Sequence, residues 1–179
     1  DIVFTNQSGG IIYHHEIESY NATNGHLVAW VNITHLSSTT DTILYMYYGN
    51  STCGSQQNVA GTWNNAFNAV YHLKETWGTG TGHFKDSTVN HQDGTLTDAN
   101  ANSTSDNGIA GKGFHFNGGS VADYINIGVI NHNYPITYSC WLKADTLTPS
   151  RCALGRYYGG YYLGTSSVSG GMLREQILV

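Results

Sequence analysis

Basic side chains are scarce in this chain: 7 Lys and Arg stand against 12 Asp and Glu, for a formal net charge of -5. A protein that grips nucleic acid needs cations to displace counterions from phosphate, so that class of partner is excluded, as is a basic helix lying on a membrane surface. Charged residues of either sign make up only 11% of the sequence, and the Ala, Leu, Glu, Lys and Arg from which helices are usually built are thin. No apolar run approaches the roughly 18 residues that suggest a bilayer-spanning helix, so no transmembrane segment is expected. Asp1 is not preceded by a signal-peptide pattern, and secretion has to be argued from other features.

Several chemical signatures are missing as well. The three cysteines, Cys53, Cys140 and Cys152, show neither CxxC nor Cys/His spacing, which excludes a structural zinc site of the usual kind. The Gly-x-Ser-x-Gly phrase of serine hydrolases is absent. The acidic stretch Asp86-Ser87-Thr88-Val89-Asn90-His91 lacks the glycine that an EF-hand loop needs at its sixth position.

What is present is 22 Gly and 13 Tyr, with aromatic and β-branched residues separated by Gly, Asn, Ser and Thr. That texture suits short strands joined by turns and predicts an all-β chain. Ile11 to Glu18 alternates Ile11, Tyr13, His15 and Ile17 on one face with Ile12, His14, Glu16 and Glu18 on the other, as a half-buried strand does. Asn24-Gly25 marks a tight turn into a strand from Leu27 to Ile33. Thr42 to Tyr48 is apolar on both faces, the pattern of a central strand, and Gly49-Asn50 closes it. Further strands are expected at Ala69 to Leu73, Gly113 to Phe116, Val121 to Ile127, Ile136 to Leu142 and Tyr157 to Leu163. A last apolar run extends from Met172 to Val179, and ending there predicts either more chain or a neighbour covering the strand. Residues 76 to 113 carry little hydrophobic period, which marks either a functional loop or strands not recognised.

Five Asn-x-Ser/Thr sequons, at Asn6, Asn21, Asn32, Asn50 and Asn102, point to an extracellular or cell-surface glycoprotein, chance occurrence being the competing account. Cys140 and Cys152 are spaced to bridge the arms of a hairpin, with Cys53 left free or paired between chains; buried unbridged thiols are the alternative.

Two resemblances organise these observations. The ordered phrases Asp1-Ile2-Val3-Phe4-Thr5, His15-Glu16-Ile17-Glu18-Ser19-Tyr20-Asn21, Ala29-Trp30-Val31 and Ile43-Leu44-Tyr45-Met46-Tyr47-Tyr48-Gly49-Asn50 resemble the DUF2341 domain, a β-rich module of large surface and secreted proteins of archaea and bacteria. The remainder is similar to the start of a concanavalin A-like, laminin G-type sandwich. The phrases that carry this are Val70-Tyr71-His72-Leu73, Lys85-Asp86-Ser87-Thr88, Asp93-Gly94-Thr95-Leu96, Gly113-Phe114-His115-Phe116, Tyr124-Ile125-Asn126-Ile127-Gly128 and Ile136-Thr137-Tyr138-Ser139-Cys140-Trp141-Leu142. Together they imply a small β module over residues 1–62 and an antiparallel jelly-roll sandwich over 63–179. The second part supplies about half the strands of a complete sandwich and leaves an apolar face for more chain or a partner to cover.

Candidate sites follow. Glu16 and Glu18 point to one strand face, and paired carboxylates are the tools of glycosidases; a solvated face is the plainer reading, and no catalytic residue is assigned. Asp86 and Asp93 lie in an Asp- and Asn-rich loop whose oxygens suit calcium, the one cofactor considered, against an ordinary polar loop. Nine histidines are present, and adjacent His14 and His15 face opposite ways, which makes them poor joint ligands. Tyr157, Tyr158, Tyr161 and Tyr162 offer flat faces for sugar, or else core packing. Trp63 and Trp77 lie near loops, while Trp30 and Trp141 read as core. The expected function is a non-enzymatic extracellular module binding glycans or mediating adhesion. A glycosylated filament subunit whose partners are other copies of itself is the alternative, and a secreted glycanase is disfavoured.

Overall fold

The computed structural model describes all residues except 65, 99–100, 102, 118–122, 131–134, 146–151, 156–160, 166–172 and 178–179, with backbone alone for 152, 161–165 and 173–177. It is an all-β protein of antiparallel sheets, and the chain divides into two compact units, Asp1–Ile136 and Thr137–Val179.

In the first unit, β1 (Val3–Asn6) lies between β2 (Ile12–Tyr13) and β5 (Leu44–Tyr47). Phe4 stands opposite both Tyr13 and Met46. The hairpin β3 (His15–Asn21) and β4 (His26–Val31) turns through Gly25, whose positive φ and bond to the Asn21 carbonyl confirm the Asn-Gly turn. Ile2, Phe4 and Tyr13 form the core here, backed by Ile17, Leu27, Ala29, Val31, Ile33 and Leu44.

The long region from residue 76 to 113 holds two strands that the sequence pattern did not reveal, each paired with one of the expected later strands. β6 (Thr95–Thr97) pairs with β9 (Tyr124–Asn126), and β7 (Thr104–Asn107) pairs with β8 (Lys112–His115). Phe84 is fully buried here, edge-on to Phe114 at 4.8 Å. In the second unit β10 (Cys152–Gly155), β11 (Tyr161–Thr165) and β12 (Leu173–Ile177) form one sheet in that order.

Several expectations need correction. The alternation from Ile11 to Glu18 breaks at His14, because the chain leaves β2 for the separate β3 sheet; Ile11 and Ile12 are exposed, while His15 and both glutamates are buried. Thr42 to Tyr48 yields not a central strand but the edge strand β5, with Tyr45, Met46 and Tyr47 exposed. Ala69 to Leu73 makes only the single bridge Tyr71 to Asp86. Ile136 to Leu142 forms no strand, and Trp141, read from sequence as core, is 77% exposed.

Candidate functional site

β3 carries Glu16 and Glu18, and a bulge between Ile17 and Ser19 interrupts its pairing with β4 at this point. Both side chains turn inward, 8% and 1% exposed, so the solvated-face reading is wrong for them. Trp30 of β4 stands opposite Glu16 in the ladder, and its indole Nε1 donates to Glu18 Oε2 at 2.9 Å.

The segment after β5 runs back along β3. Asn58 donates its backbone N–H to the His15 carbonyl, and the Gln57 side chain accepts from Ile17 N–H. Asn58 then caps the single turn α1 (Val59–Thr62) by accepting from Gly61 N–H at 2.8 Å. That turn delivers Trp63 over β3, where its Nε1 donates to Glu16 Oε2 at 2.6 Å.

A third segment is fixed by Asp86. Its carboxylate accepts from the backbone of Val70, Thr88 and Gln92 and from the Thr88 hydroxyl, so residues 70–71 and 86–92 are tied together. His72 consequently enters between the two glutamates, with Nε2 3.0 Å from Glu16 Oε2 and Nδ1 2.6 Å from Glu18 Oε2. Ser87 Oγ donates to Glu16 Oε1 at 3.0 Å, and the Lys74 ammonium lies 4.0 and 3.9 Å from Glu16 and Glu18. Gly111, at φ +81°, closes over Glu18 so tightly that a Cβ there would stand 2.7 Å from Glu18 Cγ.

The electrostatics follow from this geometry. Burial alone raises a carboxyl pKa, but the bonds from His72 and an indole outweigh it and hold both Glu16 and Glu18 below the ordinary glutamate value. His72 shows the mirror effect: burial opposes its charge, and the two glutamates overcome this to push it up to about 9.

A cleft of about 230 Å³ is lined by Trp30, Val31, Asn32, Ile33, Thr62, Trp63 and Phe67. Trp30 and Trp63 meet at 5.5 Å between ring centres, and Phe67 stands edge-on to Trp63 at 5.2 Å. Asn32 donates Nδ2 to the Gly61 carbonyl and braces the α1 side of the cleft. The two indoles therefore line a cleft of mixed polarity, and their Nε1 atoms anchor to the Glu16 and Glu18 carboxylates.

The remaining sequence candidates do not join this cluster. Asp93 pairs with Lys85 at 2.6 Å and accepts from Asp86 N–H, so both proposed calcium aspartates are already engaged by their own loop. Among the described residues no group of three or more His, Cys, Asp or Glu is arranged to hold a metal ion. Asn21 and Asn50 are exposed, each accepting through Oδ1 from the backbone of the Thr two residues on; Asn6 and Asn32 are half-buried. Asn102, Tyr157, Tyr158 and the side chains of Tyr161, Tyr162 and Cys152 lie outside the described residues, and with them the Cys140–Cys152 pairing. Cys140 is exposed.

Sequence reasoning singled out the Glu-x-Glu pair but not His72, Lys74 or Ser87 as its partners. The one usable signal was two carboxylates on a strand rich in buried positions, which calls for a cation from elsewhere in the chain.

An antiparallel β protein built around a buried Glu–His–Glu cluster and an indole-walled cleft is thus the class that fold and site define. The chain belongs to the family described as Domain of unknown function (DUF2341), whose model matches residues 1–94, a span that includes Glu16, Glu18, Trp30, Trp63, His72 and Ser87. No curated protein and no solved structure gives a significant match.

Proposed function

We propose that the chain is a non-catalytic extracellular module that binds carbohydrate in surface adhesion, and that the cleft walled by Trp30, Trp63 and Phe67 receives the sugar. The cleft is the observation that carries this reading. Aromatic rings held rigid beside a polar group suit the apolar faces and hydroxyls of a pyranose, and Asn32 supplies the polar group. Its volume suits one sugar ring rather than a long chain segment.

The non-catalytic assignment draws on the state of the carboxylates. A glycosidase needs one carboxyl group raised to act as acid, whereas Glu16 and Glu18 are both lowered and both committed to His72. The exposure of Asn21 and Asn50 is compatible with glycosylation and an extracellular setting. A laminin G-like sandwich remains part of this proposal only beyond residue 94, on its phrases from Gly113 to Leu142, because the family match takes in the earlier ones at Val70–Leu73 and Lys85–Thr88.

Isothermal titration against cello-, xylo- and manno-oligosaccharides tests the reading. Binding of at least one series is expected, weakened about tenfold by Phe67→Ala, the loss of one stacking contact of about 1.4 kcal/mol. Absence of heat with every series at millimolar ligand would remove the carbohydrate reading.

A second reading, a self-assembling surface subunit, is favoured by β5. It is a sheet edge with Tyr45, Met46 and Tyr47 all exposed, a pattern that invites strand addition. Light scattering behind size exclusion should then show association that Tyr45→Lys abolishes; a monomer at all concentrations excludes it.

A further inference from the structure

The donors and acceptors around His72 favour a charged ring. Indole Nε1–H is a donor only, and an ionised carboxylate is an acceptor only. Glu16 Oε2 accepts from Trp63 and faces His72 Nε2, while Glu18 Oε2 accepts from Trp30 and faces His72 Nδ1. With both carboxylates ionised, each imidazole nitrogen meets an acceptor oxygen, an arrangement that calls for hydrogen on both, as in an imidazolium. A neutral ring would set one lone pair against a carboxylate.

The charged groups facing His72 are Glu16 and Glu18 from β3, with Lys74 of its own segment near their other oxygens. β4, the end of α1 and the loop after Asp86 contribute the neutral donors Trp30, Trp63 and Ser87. The β7–β8 connection contributes Gly111, which has no side chain. The three rings close a triangle, with centres 5.6 Å from Trp30 to His72, 5.7 Å from Trp63 to His72 and 5.5 Å between the indoles.

We propose that His72 is a positioning residue for the cleft: its positive charge holds Glu16 and Glu18 where they anchor the Trp63 and Trp30 indoles, so the charge on a buried histidine outside the cleft lining sets affinity within the cleft. The proposal rests on the carbohydrate reading of the cleft. Deprotonation leaves two buried carboxylates without the cation between them, and their repulsion pulls the indole anchors apart. Affinity therefore holds at neutral pH and falls as pH rises through about 9.

The test uses the full chain carrying Trp77→Phe and Trp141→Phe, so that emission reports Trp30 and Trp63. Emission and the affinity for cellohexaose, xylohexaose and mannohexaose are followed from about pH 6 to about pH 9.5, a window below most lysine and tyrosine titration. An emission transition near pH 9, with affinity for the bound sugar falling about tenfold across it, is expected. His72→Gln should bind more weakly and show neither transition. Sugar bound with flat emission and constant affinity overturns the role of His72 and leaves the carbohydrate reading standing. An emission transition without binding of any of the three sugars overturns the carbohydrate reading and supports the positioning of the indoles by His72. If His72→Gln does not fold, the pH profile of the parent decides alone.

Discussion

His72 Nδ1 stands 2.6 Å from Glu18 Oε2, a contact between residues far apart in sequence that exists only because three chain segments converge. Removing the cation leaves two carboxylates at 8% and 1% side-chain exposure with Lys74 as the remaining cation near them among the described residues. His72→Ala should therefore cost about 3–5 kcal/mol in urea unfolding, the loss typical when one member of a buried ion pair is deleted. A cost below about 1 kcal/mol would show that the cluster does not hold the segments together.

Stability should fall on the alkaline side. The folded His72 value, about 9, lies above its unfolded value, so its contribution is complete below the ordinary histidine pKa and is lost as pH rises through about 9. Thermal melts across that range should show a falling Tm in the parent and a flatter profile in His72→Gln.

His15 predicts the acid limb. It is 1% exposed and lies edge-on to Phe4 at 5.2 Å. Burial lowers its pKa, and the Tyr13 backbone offsets this only in part. The unfolded chain thus takes up this proton more readily, and His15 withdraws stability as pH falls below the ordinary histidine value. The depressed Glu16 and Glu18 withdraw more as pH falls below the ordinary glutamate value. His15→Phe should flatten only the His15 portion of acid unfolding followed by circular dichroism.

Asp86 is 4% exposed and accepts four hydrogen bonds. Asp86→Ala strands those donors and should cost about 3 kcal/mol or more. Chelator should leave the melting temperature of the parent unchanged, since the oxygens are already engaged by protein donors. A rise in Tm on adding calcium would show instead that the ion competes for them.

Gly111→Ala combines a disfavoured φ with a Cβ set against Glu18. It should destabilise by about 1–3 kcal/mol and shift the emission of Trp30, whose indole bonds to that carboxylate.

The all-β character was legible from composition and the Asn24-Gly25 turn from local pattern, because turn chemistry is a property of adjacent residues; the period-two burial expected from Ile11 to Glu18 was not found, since His15, Glu16 and Glu18 are all buried. β7, Thr104–Asn107, was not legible, because it carries no apolar alternation. For β5 the apolar pattern misled: the same run of residues suits the middle or the edge of a sheet, and only pairing decides which.

The site divides in the same way. Sequence alone determined that Glu16 and Glu18 sit two apart on a strand, and that the chain has few cations with which to satisfy them. Tertiary structure decided that both are buried, that His72 and Lys74 are the cations, and that Trp30 and Trp63 hang from their oxygens. The reason is physical: strand periodicity is set by neighbouring residues, whereas compensation of a buried charge is set by whichever distant segment the folded chain brings within about 4 Å.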